Sequence, residues 1–285
     1  LRRLDGPGFA SPSARRSHWT VGNHSNRFRS RGDIVIEISE LHFAYEDGPQ
    51  VFDGLSVEIE TGRTVAVCGA NGTGKSTLLR LLAGLLEPDE GTIAIEGEEP
   101  TVGLAPETPA DGLFAATVRE EVAFFPTNRD LDVEEHVTEA LAALGIEHLA
   151  DRSPQTLSEG QKRLVTVAAV LSGAPDVVGL DEPTSGLDAE AWERLGKRLA
   201  ALSETVLLVT HDTDFAWRYA DRVLVLSPAG LERYGPTEAV LADPAFDLSA
   251  SGLREPEAVA WARKNGVEPP PRSVEAAVDA LEGSE

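Results

Sequence analysis

Residues 69–76 read Gly-Ala-Asn-Gly-Thr-Gly-Lys-Ser, and this stretch decides the fold. It fits the pattern Gly-x4-Gly-Lys-Ser/Thr, in which glycines let successive backbone N–H groups turn toward one phosphate. Residues 65–67 before it predict a buried strand, and residues 76–86 after it predict a leucine-rich helix whose N-terminus adds positive partial charge. We therefore expect a nucleotide site in which Lys75 reaches the β- and γ-phosphates and the Ser76 hydroxyl binds Mg²⁺. The loop residues predicted to bind the nucleotide are Gly69, Asn71, Gly72, Gly74, Lys75, Ser76 and Thr77.

The net charge is strongly negative, with 48 Asp and Glu residues against 25 Lys and Arg residues. Seven arginines and one aspartate fall in residues 1–32, so the remainder holds 47 acidic and 18 basic residues, a balance of −29. Because nucleic-acid phosphates are bound by clustered cations, we expect no nucleic-acid partner. Such a surface is typical of a protein from a salt-rich cytoplasm, where screening relieves self-repulsion. An ordinary soluble acidic protein is the alternative.

The sequence contains no apolar run near the ~18 residues that a membrane-spanning helix needs, and residues 1–32 have no apolar signal core. We interpret residues 1–32 as a disordered basic tail. An upstream extension outside the working protein and a membrane-touching arm are the alternatives. Cys68 is the one cysteine, which excludes an internal disulfide. Its place at the end of the predicted strand indicates a small buried side chain.

Apolar spacing and capping residues predict a further strand and three further helices. Alternating apolar residues predict a strand from Ile34. Apolar spacing over residues 132–144 predicts a helix that Gly145 ends. Pro256 and Gly266 stand where another helix begins and ends. Ser273 is positioned to cap a last helix, with Val274, Ala277, Val278 and Leu281 on one face.

Four more segments point to one family. Residues 157–161 read Leu-Ser-Glu-Gly-Gln, and the apolar strand 177–180 ends in Asp181-Glu182. Residues 183–188 follow as Pro-Thr-Ser-Gly-Leu-Asp, and the apolar run 206–209 leads to Thr-His-Asp at 210–212. With the phosphate loop, these segments resemble the ATPase cassette of ABC transporters, namely its signature, Walker B segment, D-loop and switch histidine. The resemblance covers about residues 34–236.

The resemblance implies an α/β fold with a P-loop NTPase (RecA-like) core. An inserted helical subdomain would carry the signature, with an antiparallel β region before the core and a small helical extension after it. The implied divisions are a tail at 1–32, an ABC ATPase domain at 33–243 with its helical subdomain at about 109–173, and a C-terminal extension at 244–285. ATP and Mg²⁺ are the implied cofactors, and ATP hydrolysis is the implied activity.

Single residues also receive roles from the resemblance. Tyr45 matches the aromatic residue that stacks on adenine. Ser76 and Asp181 would hold Mg²⁺, a hard ion that prefers oxygen ligands. Glu182 would be the general base, and His211 would sense the γ-phosphate. The signature would cap the ATP of a second subunit, so that two cassettes enclose two ATP molecules; its contributing residues are Ser158, Gly160 and Gln161.

One position departs from the family pattern. Alignment places Glu107 where a glutamine normally touches Mg²⁺ and the attacking water, and no glutamine occurs between Gln50 and Gln155. A carboxylate can still bind Mg²⁺, so we count Glu107 among the catalytic and metal-binding residues. It adds a charge near the γ-phosphate, and two like charges ~5 Å apart repel by about 3 kcal/mol at an effective dielectric near 20. We therefore expect turnover below that of the family.

The pattern Leu-Arg-Glu-Pro at 253–256 and the stretch 113–124 resemble the energy-coupling-factor (ECF) ATPases, which drive the uptake of vitamins, cobalt and nickel. This implies an importer subunit at the cytoplasmic face of the membrane. Its implied partners are a second ATPase cassette, a transmembrane coupling subunit and a substrate-binding membrane subunit. We also expect carboxylates among Glu107, Asp111, Glu120 and Glu121 to pair with arginines of the membrane partner. The alternatives are a soluble ABC ATPase that acts as a clamp in repair or translation, and a scaffold with inactive sites.

Overall fold

The computed structural model describes residues 36–46, 48–97, 99–273 and 276–278. The tail at 1–32 and the predicted strand start at Ile34 lie outside these residues. Strands of the described chain are β1 (Ile36–Ala44), β2 (Gln50–Ile59), β3 (Thr64–Cys68), β4 (Glu90–Ile95), β5 (Val102–Ala105), β6 (Val177–Asp181), β7 (Thr205–Val209), β8 (Arg222–Ser227) and β9 (Gly230–Pro236). Its α-helices are α1 (Lys75–Leu82), α2 (Val118–Val122), α3 (Phe124–Asn128), α4 (Val133–Leu144), α5 (Glu159–Ser172), α6 (Ala189–Ala200), α7 (Thr213–Tyr219), α8 (Thr237–Leu241) and α9 (Glu257–Asn265).

The larger sheet has six strands in the order β5-β6-β7-β3-β8-β9. The first five of these strands pair in parallel. Strand β9 pairs antiparallel with β8 at the edge of the sheet. Strands β3, β6 and β7 are buried along their whole length, as expected for a parallel sheet covered on both faces. Val67 of β3 and Asp181 of β6 both lie opposite Val209 of β7, so the loops after these three strands leave from one edge. Ligands bind at this edge in open α/β sheets.

The smaller sheet is antiparallel, in the order β2-β1-β4. Buried and exposed positions alternate along β2, so one face of this sheet is apolar. That face packs on α1, with Ile36, Phe52 and Leu78 in one apolar cluster. The sheet thereby brings Tyr45, the residue after β1, close to the start of α1.

Helix α1 differs from its prediction over residues 76–86, because it begins at Lys75 and ends at Leu82. Gly84 adopts a left-handed conformation with φ of 68°. The N–H of Leu85 then donates to the Arg80 carbonyl (2.9 Å), and the N–H of Gly84 donates to Leu81 (3.1 Å). This pair of bonds closes a Schellman motif, which stops the helix although leucines continue beyond it.

Helices α2 to α5 lie between β5 and β6, and they enclose an apolar cluster that includes Val122, Leu141 and Val165. The prediction for α4 is confirmed: Asp132 caps it by accepting the Glu135 N–H (3.0 Å), and Gly145 ends it with φ of 66°. The division of the chain into domains stays a prediction.

The C-terminal part packs on α7 and β8. Helix α9 begins after Pro256 and ends at Gly266, as predicted. Ser273 caps the following turn by accepting the Ala276 N–H (3.1 Å), while Val274 and Leu281 of the predicted last helix lie outside the described residues. The Trp217 indole N–H donates to the Pro271 carbonyl (2.8 Å), which ties this segment to α7. Within the described residues, no helix has the length and apolar character needed to cross a bilayer.

Candidate functional site

The phosphate loop runs from the end of β3 to the start of α1. At Gly69, φ is 141°, and an added Cβ would lie 2.1 Å from the Leu226 carbonyl oxygen, so a side chain cannot fit there. The buried Lys75 ammonium donates to the carbonyls of Gly69 (2.9 Å) and Ala70 (2.8 Å). The loop therefore curls around its own lysine, and contact of Lys75 with the β- and γ-phosphates stays a prediction.

A cavity of about 410 Å³ lies over the start of α1. Loop residues line it together with Tyr45, Glu107, Asp181 and Glu182. The first turn of α1 contains no acidic side chain, so the positive end of the helix faces the cavity without competition. The cavity fits the phosphates of a nucleotide. The predicted loop residues that line it are Asn71, Gly72, Gly74, Lys75, Ser76 and Thr77.

Tyr45 lies at one side of this cavity. Its hydroxyl is 3.1 Å from the Thr77 hydroxyl, and its ring packs edge-on against Phe43 at 5.0 Å between ring centres. Tyr45 is 40% exposed and lines the cavity. Stacking of adenine on its ring stays a prediction.

Asp181 ends the buried strand β6 and is itself buried. Burial raises the pKa of its carboxyl group above the ordinary value, and a hydrogen bond with Ser76 opposes that shift. Its Oδ1 atom is buried without a hydrogen-bond partner. An oxygen atom left in this way next to a serine hydroxyl fits a divalent cation, because the cation would satisfy the carboxylate.

The protein supplies few metal ligands here. Among the described residues, no group of three or more His, Cys, Asp or Glu side chains is arranged to hold a metal ion. Mg²⁺ typically binds one or two carboxylates together with substrate phosphates and water. Ser76 and Asp181 therefore fit an ion that arrives with a nucleotide.

Glu182 has an unusual backbone conformation, with φ of 49°. Its N–H donates to the Val209 carbonyl (2.9 Å), which holds this left-handed turn in place. Such strain in a residue other than glycine costs of order 1–3 kcal/mol and clusters at functional sites. Oε2 of Glu182 lies 2.8 Å from Nδ1 of the exposed His211, an ion-pair distance without hydrogen-bond alignment. The structure thus brings the predicted base and the predicted switch histidine together.

Glu107 lies in the loop after β5 and lines a second cavity of about 660 Å³ with Glu182 and His211. Arg163, on α5, lines the same cavity and is only 8% exposed. Its Nε and Nη1 atoms have no hydrogen-bond partner. Burial lowers the pKa of Arg163, and among the nearby carboxylates Glu107 opposes that shift most strongly.

Sequence reasoning missed Arg163. The available signal was an arginine two residues after the signature, in the helix that begins within it, whereas its burial is shown only by the fold. Its position beside Glu107 supplies a reason for that burial, because an opposite charge offsets part of the cost.

The signature residues lie at the start of α5, outside the cavity over α1. Ser158 caps α5 by accepting the Gln161 N–H (3.3 Å), and the Gln161 side chain accepts the Ser158 N–H (3.2 Å). Gly160 lies against the carbonyl of Gly186 in the D-loop. Of the described signature residues, Glu159 alone reaches a cavity beside the phosphate loop. The structure therefore does not bring Ser158, Gly160 and Gln161 to the phosphate loop of their own chain, and their contact with a second ATP stays a prediction.

The expectation that Glu121 pairs with a partner's arginine is wrong. Glu121 is 2% exposed, and its Oε2 atom accepts the N–H groups of Phe114 (2.8 Å) and Ala115 (2.7 Å). Glu120 forms a capping box with Thr117 at the start of α2. Both carboxylates thus have structural roles, and Glu121 fixes the loop that carries Phe114.

Comparisons with known proteins identify the family of the chain. The protein-family model described as ABC transporter matches residues 52–185. A putative ABC transporter ATP-binding protein of Streptomyces coelicolor is 43% identical over 79% of the chain and 85% of that relative. The energy-coupling factor transporter ATP-binding protein EcfA of Methanocaldococcus jannaschii is 37% identical over 73% of the chain and 81% of that relative.

Among solved structures, cbiO1 from Clostridium perfringens, described as part of the ABC transporter complex cbiONQ, superposes with a TM-score of 0.65. It is 33% identical and covers 74% of this chain and 92% of its own. The chain belongs to the family of ABC transporter ATP-binding proteins, and it is an ATPase with the P-loop fold of that family. Within the family, it is similar to ATPases of the ECF and CbiO type.

Proposed function

We propose that this ATPase powers an ECF-type importer of a metal ion or vitamin, as a peripheral subunit at the cytoplasmic face of the membrane. The observation that carries the proposal is an exposed aromatic cluster of Phe114, Phe124 and Phe125, with exposed fractions of 65%, 42% and 37%. The similarity to EcfA and to cbiO1 supports the same conclusion.

The arrangement of the nucleotide-site residues supports a mechanism for the hydrolytic step. Lys75 and the loop amides hold the triphosphate, and Ser76 and Asp181 would hold Mg²⁺, which would neutralise charge on the phosphates when bound. Glu182 takes a proton from the water whose oxygen attacks the γ-phosphorus, while the bond to the ADP oxygen breaks. His211, next to Glu182, contacts the γ-phosphate and registers its departure.

A second cassette completes the site in this proposal. Ser158 and Gly160 present a hydroxyl and an amide at the N-terminus of α5, which favours an anion. Since these groups do not reach the phosphate loop of their own chain, they would cap the ATP held by a second cassette. ATP binding then joins the two cassettes, and hydrolysis separates them.

The aromatic cluster is a suitable surface for the membrane partner. Phe124 lies edge-on between Phe114 and Phe125, with ring centres 5.0 and 5.5 Å apart. Grouped exposed aromatic rings mark interaction sites, whereas single exposed apolar residues are ordinary. The cluster lies on the loop before α2 and on α3, away from the nucleotide cavity, so contact there would leave ATP binding free.

The proposal is tested by capture of the partner. Tagged wild-type protein, expressed in its source organism, should bring down a multispanning membrane protein from solubilised membranes, identified by mass spectrometry. The Phe114→Ser/Phe124→Ser variant should lose that protein and keep ATP binding. Leu85→Ser is the matched control, because Leu85 is equally exposed at 66% and lies outside the cluster.

Two results would contradict the proposal. One is wild-type protein that captures no multispanning membrane protein at any salt concentration. The other is a double variant that retains the partner as fully as the Leu85→Ser control. Capture of repair or translation factors in place of a membrane protein would favour the soluble clamp.

A further inference from the structure

The segment after α8 folds back onto the phosphate loop. Leu248 and Leu253 are buried in an apolar cluster with Cys68 of β3 and Val225 of β8. Between them, the buried Ser251 hydroxyl donates to Oε2 of Glu232 (2.9 Å). These contacts fix residues 248–253 against the strand that leads into the phosphate loop.

The closest approach is made by Gly252. Its φ is +73°, and a Cβ atom added there would lie 2.9 Å from Cβ and 3.1 Å from Cα of Ala70. The turn is rigid, because the N–H of Gly252 donates to Ser249 (3.1 Å) and the N–H of Leu253 donates to Leu248 (2.8 Å). Glycine therefore lets the turn rest directly on the second residue of the loop.

Two side chains of the phosphate loop bind to the backbone of Ala70. Its carbonyl accepts the Lys75 ammonium (2.8 Å) and the Thr73 hydroxyl (3.0 Å). A shift of Ala70 would therefore move the lysine and the loop amides relative to a bound phosphate. Gly252 and Ala70 also line the cavity that contains Glu182.

We propose that Gly252 is a positioning residue, through which the C-terminal segment sets the place of the phosphate loop and thereby the affinity for ATP. The C-terminal segment then acts on the nucleotide site as well as covering the core. The inference does not depend on the importer proposal, because ATP binding by the isolated subunit is the quantity measured.

The test compares two glycines with nearly equal φ angles. Gly252→Ala places a methyl group against Ala70, whereas Gly266→Ala, at φ +66°, meets no atom within 4 Å. Both changes strain the backbone at positive φ, so both should lower the melting temperature, and Gly252→Ala should lower it further because its methyl group also crowds Ala70. The dissociation constant for MgATP, measured by calorimetry on the full chain, should rise at least tenfold in Gly252→Ala and less than twofold in Gly266→Ala.

Rescue separates positioning from general damage. Adding Ala70→Gly to Gly252→Ala removes the nearest clashing atom, and the double variant should bind ATP within threefold of Ala70→Gly alone. Ser251→Ala removes the hydrogen bond to Glu232 without crowding the loop, and it should weaken ATP binding at least threefold. This variant tests the inference if Gly252→Ala does not fold. Wild-type affinity in folded Gly252→Ala, failure of the rescue, or wild-type affinity in Ser251→Ala would overturn the inference.

Discussion

Replacing Glu121 by alanine should destabilise the protein although Glu121 lies outside the nucleotide site. The change removes the Oε2 atom that accepts two backbone N–H groups, from Phe114 (2.8 Å) and Ala115 (2.7 Å). A hydrogen bond to a charged group contributes roughly 1.5–3 kcal/mol. Because Phe114 is exposed, water can replace part of this pair, and we expect a loss of about 2–4 kcal/mol in the free energy of unfolding. In a protein of this size, that lowers the melting temperature by roughly 4–16 °C.

Two variants make the prediction specific. Glu121→Gln keeps a carbonyl oxygen where both N–H groups converge, so it should lose only about 1 kcal/mol. Glu120→Ala removes an exposed charge from the same helix and one capping bond of 3.2 Å, with a cost of about 1 kcal/mol or less. Guanidinium unfolding, followed by circular dichroism, measures all three. The reasoning is refuted if Glu121→Ala is no less stable than Glu120→Ala.

Four further outcomes follow from the same site and surface. Glu182→Gln should bind ATP but hydrolyse it about 10²- to 10⁴-fold more slowly, and wild-type turnover would remove Glu182 from the role of base. Burial raises the pKa of Cys68 to about 12, so the folded protein should resist iodoacetamide at pH 8 and react only when unfolded; rapid labelling of the folded protein would contradict this. Arg163→Gln should slow turnover more in the wild-type background than in Glu107→Gln, and equal effects in both would show that the two charges do not interact. The melting temperature should rise between about 0.1 M and molar KCl, because screening relieves the repulsion of the acidic surface, and a flat profile would count against that interpretation.

The sequence predicted the elements whose signals are local. The phosphate loop, strand β6 with Asp181 and helix α4 with its end at Gly145 are each determined by neighbouring residues, and the structure agrees with the elements predicted there. The end of α1 is also set by neighbouring residues, but the leucines of residues 76–86 predict a longer helix than Gly84 allows. A glycine in the left-handed conformation ends the helix even where apolar residues continue, because its backbone departs from the helical conformation.

The remaining features depend on contacts between distant segments. From the sequence, Glu121 counts among the carboxylates that could meet a partner's arginine, and only the fold shows two backbone N–H groups converging on it. Gly252 lies far along the chain from Ala70, and neither residue differs from an ordinary loop residue in sequence. Such contacts arise when distant elements pack together, and a sequence pattern within one segment does not predict them.

Glu107 shows how the structure changes the meaning of a sequence departure. Considered alone, its charge near the γ-phosphate predicts a penalty of about 3 kcal/mol at ~5 Å and an effective dielectric near 20. Arg163 lines the same cavity, with two guanidinium nitrogens that lack hydrogen-bond partners, and Glu107 is the carboxylate that acts on it most strongly. A nearby arginine acts with the opposite sign, because it attracts both the carboxylate and the γ-phosphate. We therefore expect Arg163 to offset part of the charge that Glu107 adds beside the nucleotide site. On this view, the cost of the departure appears in full only when Arg163 is removed, which is the difference that the paired Arg163 and Glu107 variants measure.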